Sequence, residues 1–301
     1  MSRPALSATR AIGVLNHLAA HPDQGFTLTE LAHGLQTNAA SMHAVLATLS
    51  THGYVVREQR RKTYHLGHSA IAIGQAALEQ HPAIALASEL TDELAETLGL
   101  ECLAGTLVGR ELLTVAAAGR PDRLHTRPRA GQRFPFVPPL GILAAAYAEP
   151  AELEDWLMAL GPEASPGDRD RYRQAAASVR ALGYEIDLQT PARQQIGLVL
   201  YELGRSPREP RLLAKLSQLV KQLAREPHQL LDPEPDPDQL FAIDNIQAPI
   251  FDGNGRLVAG LTLLGFDDPL PARGLDRYVK AITGAASHVT SVTGGRAPLS
   301  L

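Results

Sequence analysis

The stretch that decides the fold reads Thr27-Leu28-Thr29-Glu30-Leu31-Ala32-His33-Gly34-Leu35-Gln36-Thr37-Asn38-Ala39-Ala40-Ser41-Met42-His43-Ala44-Val45-Leu46-Ala47-Thr48-Leu49-Ser50-Thr51-His52-Gly53. It encodes two helices and a turn. Thr27 and Glu30 have capping-box spacing: the hydroxyl caps the amide of residue 30, and the carboxylate reaches back to the amide of residue 27. A short helix from Leu28 to about Leu35 follows. Gln36-Thr37-Asn38 is the turn, and Asn38 is a favoured N-cap for a third helix over about 39–52. Gly53 suits the left-handed position that ends a helix. Met42, Val45, Leu46 and Leu49 recur at i, i+3, i+4 and i+7, which makes them the inner stripe. At about 100° per residue, Ala40, His43, Ala44, Ala47 and Thr51 face outward.

The flanks complete the unit. A helix over about 7–20 carries Ile12, Leu15, Leu18 and Ala19 at helical spacing, and His21-Pro22-Asp23-Gln24-Gly25 breaks it. Downstream, Tyr54-Val55-Val56-Arg57 and Thr63-Tyr64-His65-Leu66 read as strands. Glu58-Gln59-Arg60-Arg61-Lys62 joins them with a basic tip. Three helices and a basic-tipped hairpin form a winged helix-turn-helix, whose third helix can enter a major groove while the hairpin meets the flanking backbone.

Beyond the wing, a connector helix is expected over about 68–80, stopped by His81-Pro82, and another over about 83–98, ended by Gly99. Cys102–Val108 and Leu112–Ala118 are strand-like around Gly109-Arg110-Glu111. Residues 119–139 read as a long loop. Helices are expected near Leu140–Tyr147, Ala151–Leu160 and Asp168–Leu182, and a strand at Tyr184–Leu188. Ile246–Phe251 and Arg256–Leu264 form a hairpin around Asp252-Gly253-Asn254-Gly255. A last helix covers about 275–292.

Composition sets bounds. The 301 residues suit two domains or one large one. No run of about 18 apolar residues reads as a membrane span, and the N-terminus lacks a signal-peptide core, so a cytoplasmic location is expected. Cys102 is the only cysteine, which excludes an intramolecular disulfide and multi-cysteine metal centres. The net charge of −4 hides an asymmetry: residues 1–70 carry net +3 and seven of the 11 histidines, and the remainder carries −7. A basic head on an acidic body points to a polyanionic partner for the head.

Taken in order, these segments resemble the IclR family of bacterial transcriptional regulators along nearly the whole chain. The matching residues are Thr9-Arg10-Ala11-Ile12 with Leu15, Leu28-Thr29-Glu30-Leu31-Ala32, Ser41-Met42-His43, Leu46-Ala47-Thr48-Leu49, Gly53-Tyr54-Val55 and Tyr64-His65-Leu66-Gly67. In the body they are Gly131-Gln132-Arg133-Phe134-Pro135, Arg180-Ala181-Leu182-Gly183-Tyr184, Ala248-Pro249-Ile250-Phe251-Asp252 and the strand from Gly255 to Gly265. Their order and spacing carry the likeness more than any single motif.

The resemblance implies an α+β chain. Residues 4–67 would be a winged helix-turn-helix DNA-binding domain, 68–81 a connector helix, and 82–301 an effector-binding and oligomerisation domain with a curved antiparallel sheet flanked by helices. It implies a regulator of an operon, frequently catabolic, answering to a small organic effector. The implied partners are double-stranded DNA, the effector and a second copy, as homodimer or homotetramer, with no membrane and no cofactor. The DNA-facing set would be Arg10, Asn38, Ala39, Ala40, Ser41, His43, Ala44, Arg60, Arg61 and Lys62. The pocket would hold Leu140, Gly141, Asp187, Asn245, Thr262 and Leu264.

The chain departs from the family pattern in informative places. Ala39 and Ala44 stand where basic residues are usual, so bidentate arginine reading of guanine from this face is lost. Phe136-Val137-Pro138-Pro139 replaces a His-x-Thr segment. Asn245 replaces a cysteine, and Thr262 and Leu264 replace two serines. The pocket is therefore expected to differ from those that bind small carboxylates.

Each candidate also has a plainer reading. Asn38, Ser41 and His43 can touch DNA, or be an N-cap, a half-buried hydroxyl and a solvated ring. Ala40 and Ala44 can meet thymine methyls or simply favour helix. Arg60-Arg61-Lys62 is a phosphate or minor-groove contact or a solvated loop. His17 and His21, at i and i+4, have a zinc-ligand spacing but no obvious partner beyond Asp23. Cys102 is a redox sensor or a small buried hydrophobe. Asp187 anchors a ligand or caps a loop, and Asn245 is a pocket amide or a strand end.

Residues 192–238 form an insertion relative to the family. Ile196, Val199, Leu200 and Leu203 share one helical face, and so do Leu212, Leu213, Leu216, Leu219, Val220 and Leu223. They predict a helical hairpin returned by the stiff segment Asp232-Pro233-Glu234-Pro235-Asp236-Pro237-Asp238. This hairpin is a stabilising cover over the sheet, a lid on the pocket, or a dimer surface. The rival function classes are an enzyme, for which no nucleophile-elbow, P-loop, zincin or dinucleotide motif is present, and a DNA-binding assembly protein whose C-terminal domain no longer senses a ligand.

Overall fold

A computed structural model describes residues 5–119, 129–205, 209–225, 236–266 and 268–298. The head consists of α1 (Leu6–Ala19), β1 (Phe26–Thr27), α2 (Leu28–Gly34), α3 (Ala39–Thr51), β2 (Val55–Glu58) and β3 (Thr63–Leu66). The Thr27–Glu30 capping box is complete, and Asn38 Oδ1 accepts the Ser41 amide at 2.8 Å. The predicted stripe of α3 is buried: Met42 0%, Val45 9%, Leu46 1% and Leu49 7% exposed. It packs on Val14, Leu18, Leu31, Leu35 and Tyr64 in one core.

Two details differ from the sequence reading. Ile12 points to solvent at 57% exposure, and α1 instead buries Val14 and His17. A third wing strand, β1, pairs antiparallel with β3, so the wing sheet has order β1-β3-β2. Two residues are too few to show an alternating pattern in sequence.

The connector α4 (His68–Gln80) has no buried residue, and α5 (Pro82–Leu98) ends at Gly99, which is left-handed at φ 67°. The body follows as β4 (Glu101–Val108), β5 (Glu111–Ala118), β6 (Arg133–Pro135), α6 (Ile142–Ala146), α7 (Pro150–Met158), α8 (Pro166–Leu182), β7 (Glu185–Leu188), α9 (Pro191–Arg205), α10 (Pro210–Arg225), β8 (Leu240–Phe241), β9 (Ile243–Phe251), β10 (Leu257–Leu264), β11 (Leu270–Pro271) and α11 (Ala272–Val292). Six strands form one antiparallel sheet in the order β6-β5-β4-β10-β9-β7. Register shifts at Ala104/Gly105, Leu257/Ala259 and Asp187/Leu188 mark the bulges that curl such a sheet. Strand β6 lies in the stretch expected to be loop, and the small β8–β11 pair was also unforeseen.

Side-chain alternation assigns the faces. Cys102, Ala104, Ile186, Ile246, Ala248, Leu261 and Leu263 turn to the core under α5 and α11. The residues between them turn the other way. A second core joins Ile142 and Leu143 to Trp156, Tyr172 and Val179 of α7 and α8. The α9–α10 hairpin forms as its stripes predict, with Ile196, Val199, Leu203, Leu216 and Leu223 closing on one another. Residues 206–208 and 226–235, including most of the acidic proline segment, lie outside the described residues.

Head and body touch where Arg129 Nη1 meets Asp23 at 2.6 Å. Beside that pair, Gly131 (φ 86°) lies so close to the end of α1 that a Cβ would come 2.7 Å from the Ala19 carbonyl.

Candidate functional site

The sheet residues turned away from the α5–α11 core line a cavity of about 250 Å³. Its apolar wall is Leu103 and Leu107 of β4, Leu112 of β5 and Leu257 of β10, with Leu143 and Ala144 of α6 opposite. Close approach of α6 depends on glycine: a Cβ at Gly260 would lie 3.0 Å from Leu143. Gly141 enters α6 at φ 84°, and a Cβ there would meet the Phe136 ring at 2.7 Å.

The polar wall comes from β7, β9 and α9. Glu185 and Asp187 alternate with Ile186, so both acids face the cavity. Arg193, near the start of α9, reaches in from above. Its Nη1 lies 2.5 Å from Asp187 Oδ2 and 3.4 Å from Asp244 Oδ2, and its side chain is only 9% exposed. Asn245 Nδ2 donates to Asp187 at 3.1 Å and to Asp244 at 3.0 Å. Gln247 Nε2 donates to Asn245 Oδ1 at 3.0 Å. The network therefore runs across two strands and one helix.

Burial dominates its electrostatics. Glu185 is held well above the ordinary carboxylate range, first by desolvation, then by the charge and hydrogen bond of Asp187. Burial works against the Arg193 charge, but Asp187, Asp244 and Glu185 more than offset it and hold the guanidinium firmly protonated.

Of the six residues expected in the pocket, Leu140, Gly141, Asp187, Asn245 and Thr262 line this cavity. Leu264 does not. It lies opposite Glu101 at the start of β4, one step beyond the Thr262–Leu103 pair that still lines the wall. Sequence reading missed Glu185, Arg193 and Asp244. The available signals were two acids flanking Ile186 on one strand, and an arginine three residues before Ile196, on the inner stripe of its helix.

The other side chains take plain roles. Cys102 is fully buried, and burial pushes its thiol up to about 12, so no reactive thiolate forms there. His17 and His21 are buried and stack at 4.7 Å, with Phe26 at 4.6 Å from His17. The His21 Nδ1 is spent on the His17 carbonyl at 2.7 Å, and burial followed by the His21 charge lowers His17 to about 4. Among the described residues, no group of three or more His, Cys, Asp or Glu is arranged to hold a metal. No described helix is long and apolar enough to cross a membrane.

On the head, Ala39, Ala40, His43 and Ala44 are exposed along α3, and Ser41 is half-buried. Arg60, Arg61 and Lys62 are exposed at the wing tip, where Lys62 takes a left-handed φ of 56°. Arg10 lies half-buried on α1.

Comparison with known proteins places this geometry. Residues 7–59 match the IclR helix-turn-helix domain. The transcriptional regulator BhcR of Paracoccus denitrificans is 26% identical over 202 residues, covering 65% of this chain and 72% of its own. The glycerol operon regulatory protein of Streptomyces coelicolor is 27% identical over 193 residues, covering 63% and 75%. An IclR transcriptional regulator from Alicyclobacillus acidocaldarius superposes over 97% of this chain and all of its own, with a TM-score of 0.65 at 20% identity. An IclR homologue from Microbacterium hydrocarbonoxydans, solved with 4-hydroxybenzoate, does so over 95% and 98%, with a TM-score of 0.60 at 15% identity. The head is matched by the IclR helix-turn-helix domain, and from that head to its curled antiparallel sheet the chain shares the fold of solved IclR-family regulators.

Proposed function

We propose that this regulator senses a small organic molecule in the cavity under the curled sheet and transmits its presence to a DNA-binding head that controls an operon. The carrying observation is the cavity itself, with a leucine-lined body and one polar wall built by β7, β9 and α9. Such a mixture of apolar lining and a few placed polar groups suits a small ligand. Residues 4–67 serve as the DNA-binding unit, 68–81 as the connector and 82–301 as the sensing unit. Ala39, Ala40, Ser41, His43 and Ala44 face the major groove, and Arg60, Arg61 and Lys62 grip the backbone. Arg10 adds a peripheral contact.

The insertion acts as a lid, because Arg193 and Gly197 of α9 form part of the cavity wall. The protein works as a homodimer or homotetramer. In support, Leu6 and Ile12 of α1 and Ile71 and Ile73 of α4 are all more than half exposed in the single chain. The test has two parts: a thermal-shift screen of small organic molecules, then operator affinity by fluorescence anisotropy with and without each hit. A hit that stabilises the protein and alters operator affinity supports the reading. Silence across all ligand classes leaves an assembly protein with a vestigial pocket.

A further inference from the structure

Charge matching inside the cavity says more about the ligand, provided that the sensing reading holds. Three carboxylates, Glu185, Asp187 and Asp244, share the polar wall with one cation, Arg193. The other polar groups lining it, such as Gln247 and Thr262, are neutral. Arg193 is already committed, with one nitrogen spanning Asp187 and Asp244. Glu185 is 1% exposed and lines the cavity, and its Oε2 makes no hydrogen bond. A buried wall with this excess of acid over base lacks a positive charge or a strong donor.

We propose that the cavity takes an amphiphilic primary ammonium compound. Its cationic head sits against Glu185, Asp187 and Asp244, and its apolar body lies along Leu103, Leu107 and Leu112. A carboxylate ligand is disfavoured in the same orientation. It would bring a further negative group beside Asp187 and Asp244, and the one guanidinium that could receive it is already paired with both.

The test uses the full-length protein and three probes that share a ring and differ in one group: 4-hydroxybenzylamine, 4-hydroxybenzyl alcohol and 4-hydroxybenzoate. Thermal shift and calorimetry at millimolar concentration give the ranking. The amine should stabilise most, the alcohol less, and the carboxylate not at all. Arg193→Gln removes the competing cation and should tighten amine binding by about tenfold or more, the scale of a single close charge pair. If that variant does not fold, Asp244→Asn supplies the converse, a weakening of about tenfold. Stabilisation by the carboxylate, or its loss in Arg193→Gln, overturns the ammonium assignment and leaves ligand sensing intact. Stabilisation by the alcohol above the amine also overturns it. No shift from these probes, nor from any compound in the wider screen, overturns the assignment and the sensing reading together.

Discussion

The wing and the cavity use charge in opposite ways. At the wing, Arg60, Arg61 and Lys62 stand in solvent with no structural partner needed, available to a polyanion. In the cavity, Arg193 is buried and bound to two aspartates, and it ties α9 to the sheet. Exposed charges govern encounter and salt dependence at little cost to stability. Buried ones are structural commitments, since removing one partner strands the others. The two regions should therefore respond very differently to the loss of a single cation.

The largest effect is expected in the cavity. Arg193→Gln leaves Asp187 and Asp244 facing each other and Glu185 without their counter-charge. Breaking a buried pair in this way costs about 3–5 kcal/mol. Denaturant melting of the ligand-free variant measures it. A loss below about 1 kcal/mol, the range of exposed pairs, would show that the cluster is as well solvated as the wing.

Next comes the wing, with an effect on DNA affinity rather than on stability. Each neutralised phosphate contributes about −0.9 to the slope of log affinity against log salt. Replacing Arg60, Arg61 and Lys62 by alanine should flatten that slope by about 2–3 and weaken all sequences alike. Melting should hardly move. An unchanged slope would take the wing out of the interface and erase the contrast drawn above.

A smaller effect, and one that varies with pH, belongs to Glu185. Its folded-state value is raised, so the folded protein keeps a proton that the unfolded chain loses. Stability is then fully present below the ordinary carboxylate value and falls as pH rises toward the folded one. Glu185→Gln mimics the protonated form and removes this component. Relative to wild type, the variant should gain stability steadily between acid and neutral pH. A wild type and variant with parallel pH profiles would show that Glu185 is ionised in the fold.

How much of this could be read in the sequence follows the same division. The head was legible almost to the residue, because its signals are local: a capping box, an N-cap, a stripe at i, i+3, i+4 and i+7, and a basic tip. The α9–α10 hairpin was legible for the same reason. Ile12 was misassigned because the face of α1 is fixed by what packs on it, and Val14 and His17 are what the head buries. The cavity was only half legible. Asp187 and Asn245 were flagged through the resemblance, but Arg193 meets Asp244 across 51 residues of sequence, a pairing made by sheet topology. Leu264 entered through the resemblance, as the counterpart of a family serine, and that correspondence does not tell how far along β10 the cavity extends.

The smallest expected effect concerns Asn38, where the two readings of the head part company. Its Oδ1 accepts the Ser41 amide at 2.8 Å, and no reciprocal acid sits three residues on, so α3 has a simple cap where α2 has a full box. Asn38→Ala should cost about 1 kcal/mol, the usual loss for such a cap. Asn38→Ser keeps a capping oxygen and should restore most of that stability. The side chain also stands at the exposed start of the helix proposed to face DNA, where an amide has the groups to pair with an adenine edge. If capping is its whole role, Asn38→Ser will bind operator and random DNA with the wild-type ratio. If it also reads a base, Asn38→Ser will melt like wild type yet lose about 1–3 kcal/mol of discrimination. Melting and specificity measured on that one variant therefore separate a residue that builds the recognition helix from one that uses it.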